Sequence, residues 1–196
     1  MDLYENMPRI DAHKQGMKYL VDVAQDLTGC RDLGMVMDIV RRAARYMTGA
    51  DGATFVLRDD DKCYYADECS ISPLWKGQRF PMSACISGWV MNNSRSVVIP
   101  DVYTDSRIPL DVYKRTFVRS MAMVPIRKYK ALGAIGNYWS YTRYTSAEEL
   151  RLLEDLASIT AAAIENALLF SKLQEHIKAL EGSNSELKRI SSLTSP

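Results

Sequence analysis

From Thr145 to Leu187 apolar residues recur at helical spacing, and this run limits the possible folds more than any other feature of the chain. Leu150, Leu153, Leu156, Ala157, Thr160, Ile164 and Ala167 fall on one face, the pattern of a helix laid on a core. Thr145 with Glu148 three residues later supplies a capping-box pattern at its start. Further on, Ala163, Asn166, Phe170, Leu173, Ile177, Leu180, Asn184 and Leu187 alternate steps of three and four, the a and d positions of a heptad. One helix therefore serves a domain core first and a coiled-coil seam afterwards. Gly182 within the seam costs about 1 kcal/mol of helix stability. The end, SSLTSP, reads as a linker or the cut end of a longer chain.

Upstream, Met17, Leu20, Val21, Ala24 and Leu27 form the stripe of an N-terminal helix from about Asp11 to Thr28, ended by Gly29. A second helix starts near Asp32, with Leu33, Val36, Met37, Val40, Ala44 and Met47 inward and Arg41, Arg42 and Arg45 outward, and closes at Gly49. The period then changes. ATFVL (53–57) and CYYA (63–66) read as a hairpin whose tip holds Asp59, Asp60 and Asp61; these lack the spacing of a calcium loop. Two irregular sections, one with Trp75, Gly77 and Phe80 and one with Tyr103, Pro109, Tyr113 and Phe117, flank the helical run SACISGWVMNN and the strand SVVIP. The runs RSMAMVPIR and ALGAIGNYWS follow as a strand pair, giving five strands and a candidate sixth. With 196 residues this is one domain, residues 31–169, between an N-terminal helix (1–30) and a signalling helix with linker (170–196).

Composition removes several function classes. Lys and Arg number 25 against 24 Asp and Glu, so no basic excess is available for nucleic acid, and 47% hydrophobic residues exclude general disorder. The apolar stretches read as broken by charge before the roughly 20 residues of a membrane span, and the acidic start MDLYENMPR is unlike a signal peptide, so a cytoplasmic protein is expected. Cys30, Cys63, Cys69 and Cys85 contain no CxxC pair, which predicts free thiols and no zinc. Two histidines, His13 and His176, leave little for a catalytic triad. His176 in LQEHIKAL, followed by Ile and Lys, also lacks the acidic neighbour of a phosphoacceptor box.

The element order is that of an α+β domain on an antiparallel sheet. The stretches TGADGATFVLRDDDKCYYA, RFPMSACISGWVMNNSRSVVIPDVYTDSR, RSMAMVPIRKYKALGAIGNYW and YTSAEELRLLEDLASITAAAIENALLF resemble, over about Leu33 to Leu169, a GAF domain, the small-molecule-sensing relative of PAS domains. They are most similar to GAF modules of bacterial or archaeal sensory histidine kinases. The resemblance implies a five- to six-stranded sheet and a ligand cavity between one sheet face and its covering loops. Candidate lining residues are Phe55, Tyr65, Trp75, Phe80, Ser83, Tyr103, Tyr113, Phe117, Met121, Met123, Asn137 and Trp139. The implied role is regulatory rather than enzymatic: a homodimer through the N- and C-terminal helices passes pocket occupancy from the loops, through ALGAIGNYWS, to a downstream output domain.

Other readings follow from the same resemblance. A bilin photoreceptor carries Cys-His about ten residues before RSMAMVPI, where this chain has Ile108 and Pro109, so a colourless protein is expected; Cys63, Cys69 or Cys85 would have to attach a tetrapyrrole or haem from elsewhere. A free methionine sulfoxide reductase has cysteine before the glycine of the short helix and in the loop ahead of the strand pair. Here Ser87 precedes Gly88 and residues 101–117 contain no cysteine. Cyclic nucleotides need a helix N-terminus such as that near Ser83, but no basic residue of the short helix supports one. A ligand-free dimerisation scaffold is the remaining alternative. The residues name no cofactor.

Overall fold

The computed structural model describes residues 7–193, with side chains from 15 to 185. Leu187 of the seam, the terminal SSLTSP and His13 lie outside the described side chains. Helices α1 (Met7–Thr28) and α2 (Leu33–Thr48) lead into strands β1 (Gly52–Asp59), β2 (Lys62–Ser70) and β3 (Arg79–Pro81). A 3₁₀ turn (Met82–Ala84), α3 (Ile86–Asn93), β4 (Val97–Ile99) and the single turn α4 (Leu110–Tyr113) follow. Strands β5 (Ser120–Ile126) and β6 (Gly133–Trp139) precede α5 (Ala147–Leu193). The strands form one sheet in the order β3-β2-β1-β6-β5-β4, and every neighbouring pair is antiparallel.

Both faces of this sheet are covered. Ala53, Phe55, Ala122, Val124, Ile126, Ile135 and Trp139 meet the apolar faces of α2 and α5, on which α1 packs in turn. Val56, Cys63, Tyr65, Met121, Met123, Ala134 and Tyr138 lie under α3, α4 and the irregular segments. Strand side chains alternate between faces, so each central strand supplies both cores. The ends of α2 follow the sequence: Asp32 accepts the Met35 N–H at 2.9 Å, and Gly49 closes the helix at φ 61°.

Four details differ from the sequence reading. The capping box is Ser146 with Glu149, one residue later than Thr145 with Glu148: the Glu149 N–H donates to Ser146 Oγ at 3.1 Å and the Ser146 N–H to Glu149 Oε2 at 2.8 Å. Glu149 is chosen because Arg143 also holds its carboxylate, at 2.6 Å to each oxygen. Helix α1 starts at Met7 and buries Leu20, Val23 and Leu27, while Met17 and Val21 face outward, because its contact runs along the groove between α2 and α5. Ala163 of the expected seam belongs to the domain core, so the free seam begins at Asn166. Finally, a stretch within Ala147–Ser185 does reach the apolarity and length of a membrane span, with mean hydropathy 1.3. Much of that apolarity is spent within the domain, where Leu153, Leu156, Ala157 and Ile164 are buried.

Gly88 lets α3 lie on the 3₁₀ turn, since a Cβ there would run into the Met82 carbonyl, whereas one at Gly182 would meet nothing within 4 Å. Gly88→Ala is expected to destabilise the domain by on the order of 3 kcal/mol or to prevent its folding. Gly182→Ala should leave the domain's melting unchanged and raise helicity at 222 nm, being favoured by about 1 kcal/mol. Thermal melts of the two variants check both.

Candidate functional site

A bulge places the site's residues. Between Phe55 and Val56 the β1/β2 register skips Ala66, so Phe55 opposes Asp67 and Val56 opposes Tyr65. In a regular strand of this sequence Tyr65 and Cys63 would share the face of Asp67, which points to α2 and pairs with Arg41 at 2.6 Å. The bulge turns both to the opposite face, beneath the loops.

There Tyr65 meets Trp75 and Phe80 edge-on, with ring centroids 5.5 and 5.4 Å apart. Trp75 in turn contacts Tyr113 at 4.9 Å and Tyr138 at 5.5 Å. The rings of Tyr65, Trp75, Phe80 and Tyr113, with Cys85, Pro109 and Val112, wall a cavity of about 10 Å³, and Tyr138 lies behind Trp75. The loop carrying Trp75 is fastened by Glu68, whose carboxylate accepts the backbone N–H groups of Leu74, Trp75 and Lys76 at 2.8 to 2.9 Å. The cleft's hydroxyls are paired: Thr54 Oγ1 with Tyr138 Oη at 3.0 Å, and Tyr65 Oη with Ser87 Oγ at 3.1 Å. Burial raises the Tyr65, Tyr113 and Tyr138 phenols above the ordinary tyrosine range, so all three are neutral near pH 7.

At the cleft floor the Cys85 thiol donates to the Cys63 sulfur across 3.1 Å. That hydrogen bond, followed by burial, pushes the Cys63 thiol up. The same hydrogen bond outweighs desolvation at Cys85, and with the Ser87 hydroxyl and the Ser87 and Gly88 N–H groups brings its thiol down to about 6.

Of the residues expected to line a ligand site, Tyr65, Trp75, Phe80 and Tyr113 converge on this cavity. Met121 and Met123 lie in the same core, and Phe117 packs at its margin. Ser83 and Tyr103 are exposed, Tyr103 beneath the Arg119 guanidinium at 4.6 Å. Phe55, Asn137 and Trp139 occupy the opposite face; the Asn137 amide donates to Ala44 O at 2.8 Å and Thr48 Oγ1 at 2.6 Å, on α2. The residues missed by sequence are Tyr138, Glu68 and the Cys63/Cys85 pair. Alternation alone separates Tyr138 from Asn137 and Trp139; only the pairing of Met121 with Tyr138 says which side faces the loops. Larger depressions lie elsewhere: an open groove of about 850 Å³ holds Trp89, Arg95, Lys128 and Glu154, and one of about 580 Å³ holds Arg58, Asn92 and Lys130.

The thiolate absorbance of Cys85 at 240 nm should appear with a midpoint near pH 6, because the Cys63 thiol hydrogen-bonds to the Cys85 thiolate once it forms. In Cys63→Ala the midpoint should move up toward the ordinary thiol range of about 8.5. A signal rising only above pH 8 in the wild-type protein would contradict the arrangement.

The fold has known relatives. A family model described as the GAF domain matches residues 30–165. No curated protein is similar in sequence. Among solved structures, the GAF domain of a phosphoenolpyruvate-protein phosphotransferase (ptsP) from Coxiella burnetii superposes with a TM-score of 0.71 at 16% identity, over 82% of this chain and 98% of that one. The free methionine-R-sulfoxide reductase from Neisseria meningitidis, in complex with its substrate, gives 0.69 at 17% identity over 80% and 92%. The photosensory core module of Stigmatella aurantiaca phytochrome gives 0.70 at 17%, over 98% of this chain and 43% of that one. At such identities these likenesses establish the fold, and with the family match over more than half its length the chain belongs to the GAF domain family.

Proposed function

We propose that this chain is the sensory module of a cytoplasmic signal-transduction protein, in which a small molecule received at the aromatic cleft changes an output domain, such as a histidine kinase, through α5. One observation carries the reading. Helix α5 is a single element of 47 residues, buried in the domain core at Leu153, Leu156 and Ile164, yet exposing Leu173, Ile177 and Leu180 along one seam beyond it. An unpartnered apolar stripe at heptad spacing fits a parallel two-stranded coil, with Asn166 and Asn184 setting register. The homodimer would include α1, which flanks α5 and leaves Met17 and Val21 uncovered.

Cleft and coil are joined by consecutive residues of β6. Tyr138 faces the aromatic cleft and Trp139 the helices, where Arg143 stacks on the Trp139 ring at 4.4 Å and forks onto Glu149 in the first turn of α5. A ligand in the cavity therefore acts on Trp75 and through it on Tyr138, and Trp139 and Asn137 receive the shift from behind. A cavity of about 10 Å³ accommodates about one water molecule, so a larger ligand enters only when the Trp75 loop leaves the Glu68 carboxylate. The same small cavity favours a second reading, a ligand-free dimerisation module. A tetrapyrrole sensor fits least, since Ile108 and Pro109 offer no thiolate and the cleft is far too small.

Light scattering at tens of micromolar should give a dimer mass for this chain and a monomer mass for the double variant Leu173→Glu/Ile177→Glu; a monomer in both sinks the coil. With α5 fused to a kinase output, one residue inserted after Phe170 turns the seam by about 100° and should change output strongly. Seven residues restore the heptad and should largely preserve it. If neither insertion alters output or its response, α5 is a tether and the sensory reading fails.

A further inference from the structure

Cys63 and Cys85, 22 residues apart in sequence, are brought to a sulfur–sulfur distance of 3.1 Å by β2 and the start of α3. We propose that this pair is a redox site, a dithiol that a small hydroperoxide oxidises to a disulfide at the floor of the aromatic cleft. The assignment goes beyond the sensory reading and does not depend on relay through α5.

The two sulfurs have different surroundings, and these divide the work. Cys85 lines the cavity and keeps 8% of its surface exposed, whereas Cys63 is fully buried behind it. The Ser87 hydroxyl donates to Cys85 at 3.2 Å and is itself paired with Tyr65 Oη, so a line of hydroxyls runs to the reacting sulfur. Cys85 is the attacking group and Cys63 the resolving one. The nearby titratable groups are Arg58 on β1 and the neutral phenols of Tyr65, Tyr113 and Tyr138. The other two cysteines have no thiol partner: Cys30 donates to the Asp26 carbonyl and Cys69 lies beside Arg45.

In the first step the Cys85 sulfur attacks the peroxide. An S–O bond forms, the O–O bond breaks, and two electrons pass from sulfur to the departing oxygen, which takes up the proton given up by the thiol and leaves as water. In the second, the Cys63 sulfur attacks Cys85, the S–S bond forms, the S–O bond breaks, and the hydroxyl leaves with the Cys63 proton as a second water. Two thiols and one hydrogen peroxide become one disulfide and two waters. The sulfurs need to approach by about 1 Å to reach the S–S bond length. That movement has to bend the bonds of the Cys85 sulfur to the Pro81 carbonyl at 3.5 Å and the Ser87 hydroxyl at 3.2 Å. A cavity of about 10 Å³ suits hydrogen peroxide, little larger than water, and excludes bulky organic hydroperoxides. An external dithiol reverses the reaction by exchange.

The probe is hydrogen peroxide at equimolar dose on the reduced chain, followed by alkylation, proteolysis and mass spectrometry. The expected product is a Cys63–Cys85 cross-linked peptide, with Cys30 and Cys69 still alkylated and cumene hydroperoxide at least tenfold slower. In Cys63→Ala, Cys85 should stop at the sulfenic acid and be trapped by dimedone, while Cys85→Ser should yield no cross-link. Circular dichroism checks that the variants fold. The wild-type result needs no variant: if Cys30 or Cys69 is oxidised as fast as Cys85, or if no Cys63–Cys85 cross-link forms while free cysteine in the same tube is oxidised, the proposal is overturned. Equal rates with cumene hydroperoxide would overturn the cavity as the peroxide's route.

Discussion

Strand β6 is buried along its whole length, alternately against α2 and α5 and beneath α3 and the loops, and this double burial is the constraint on which the rest of the structure depends. Its flanks are held by β1 and β5, so it cannot slide without breaking a ladder on each side. Tyr138 and Trp139, adjacent in sequence, each anchor a different core. Burial of a large aromatic side chain is worth about 4–6 kcal/mol as an upper figure, so exchanging their sides is prohibitive. The layer separating the cleft from α5 is consequently one residue thick.

The second constraint is the bulge at Ala66. It reverses the alternation of β2 partway along the strand, leaving Asp67 with Arg41 on the helix face while sending Tyr65 and Cys63 under the loops. Phe80 pairs opposite Cys63, and Cys85 follows after one short turn, so the aromatic walls and the thiol pair descend from the same irregularity. The cleft is polar only where its hydroxyls are paired. Glu68, on β2, ties the covering loop down by accepting three of its backbone N–H groups.

Much of the architecture was legible in the sequence because its signals are local. Asp32 and Gly49 bracket α2 through hydrogen bonds within a turn, and the strands β1, β5 and β6 announce themselves by β-prone runs. Face assignment was not legible in the same way. Met121, Met123, Asn137 and Trp139 all sit on strands of the right character, yet the first two belong to one core and the last two to the other, because β5 and β6 pair Met121 with Tyr138 and Ala122 with Asn137. That register depends on the connection between the strands, where Arg127 and Lys130 both take positive φ without being glycine. The proximity of Cys63 to Cys85 was illegible for the same reason: it follows from the bulge and the β2/β3 pairing, and neither leaves a mark in residue spacing.

The length of α5 has a mechanical consequence. At 1.5 Å per residue its 47 residues extend about 70 Å, and the part beyond Phe170 projects roughly 35 Å from the domain. Such a helix is a lever whose fulcrum is the Arg143–Glu149 corner and the apolar bed beneath Leu153 and Leu156. A tilt of about 5° at that bed, the scale on which packed side chains readjust, swings the far end, about 60 Å away, by about 5 Å. Displacements too small to break any contact around Tyr138 thus arrive at the distal end enlarged to several ångströms.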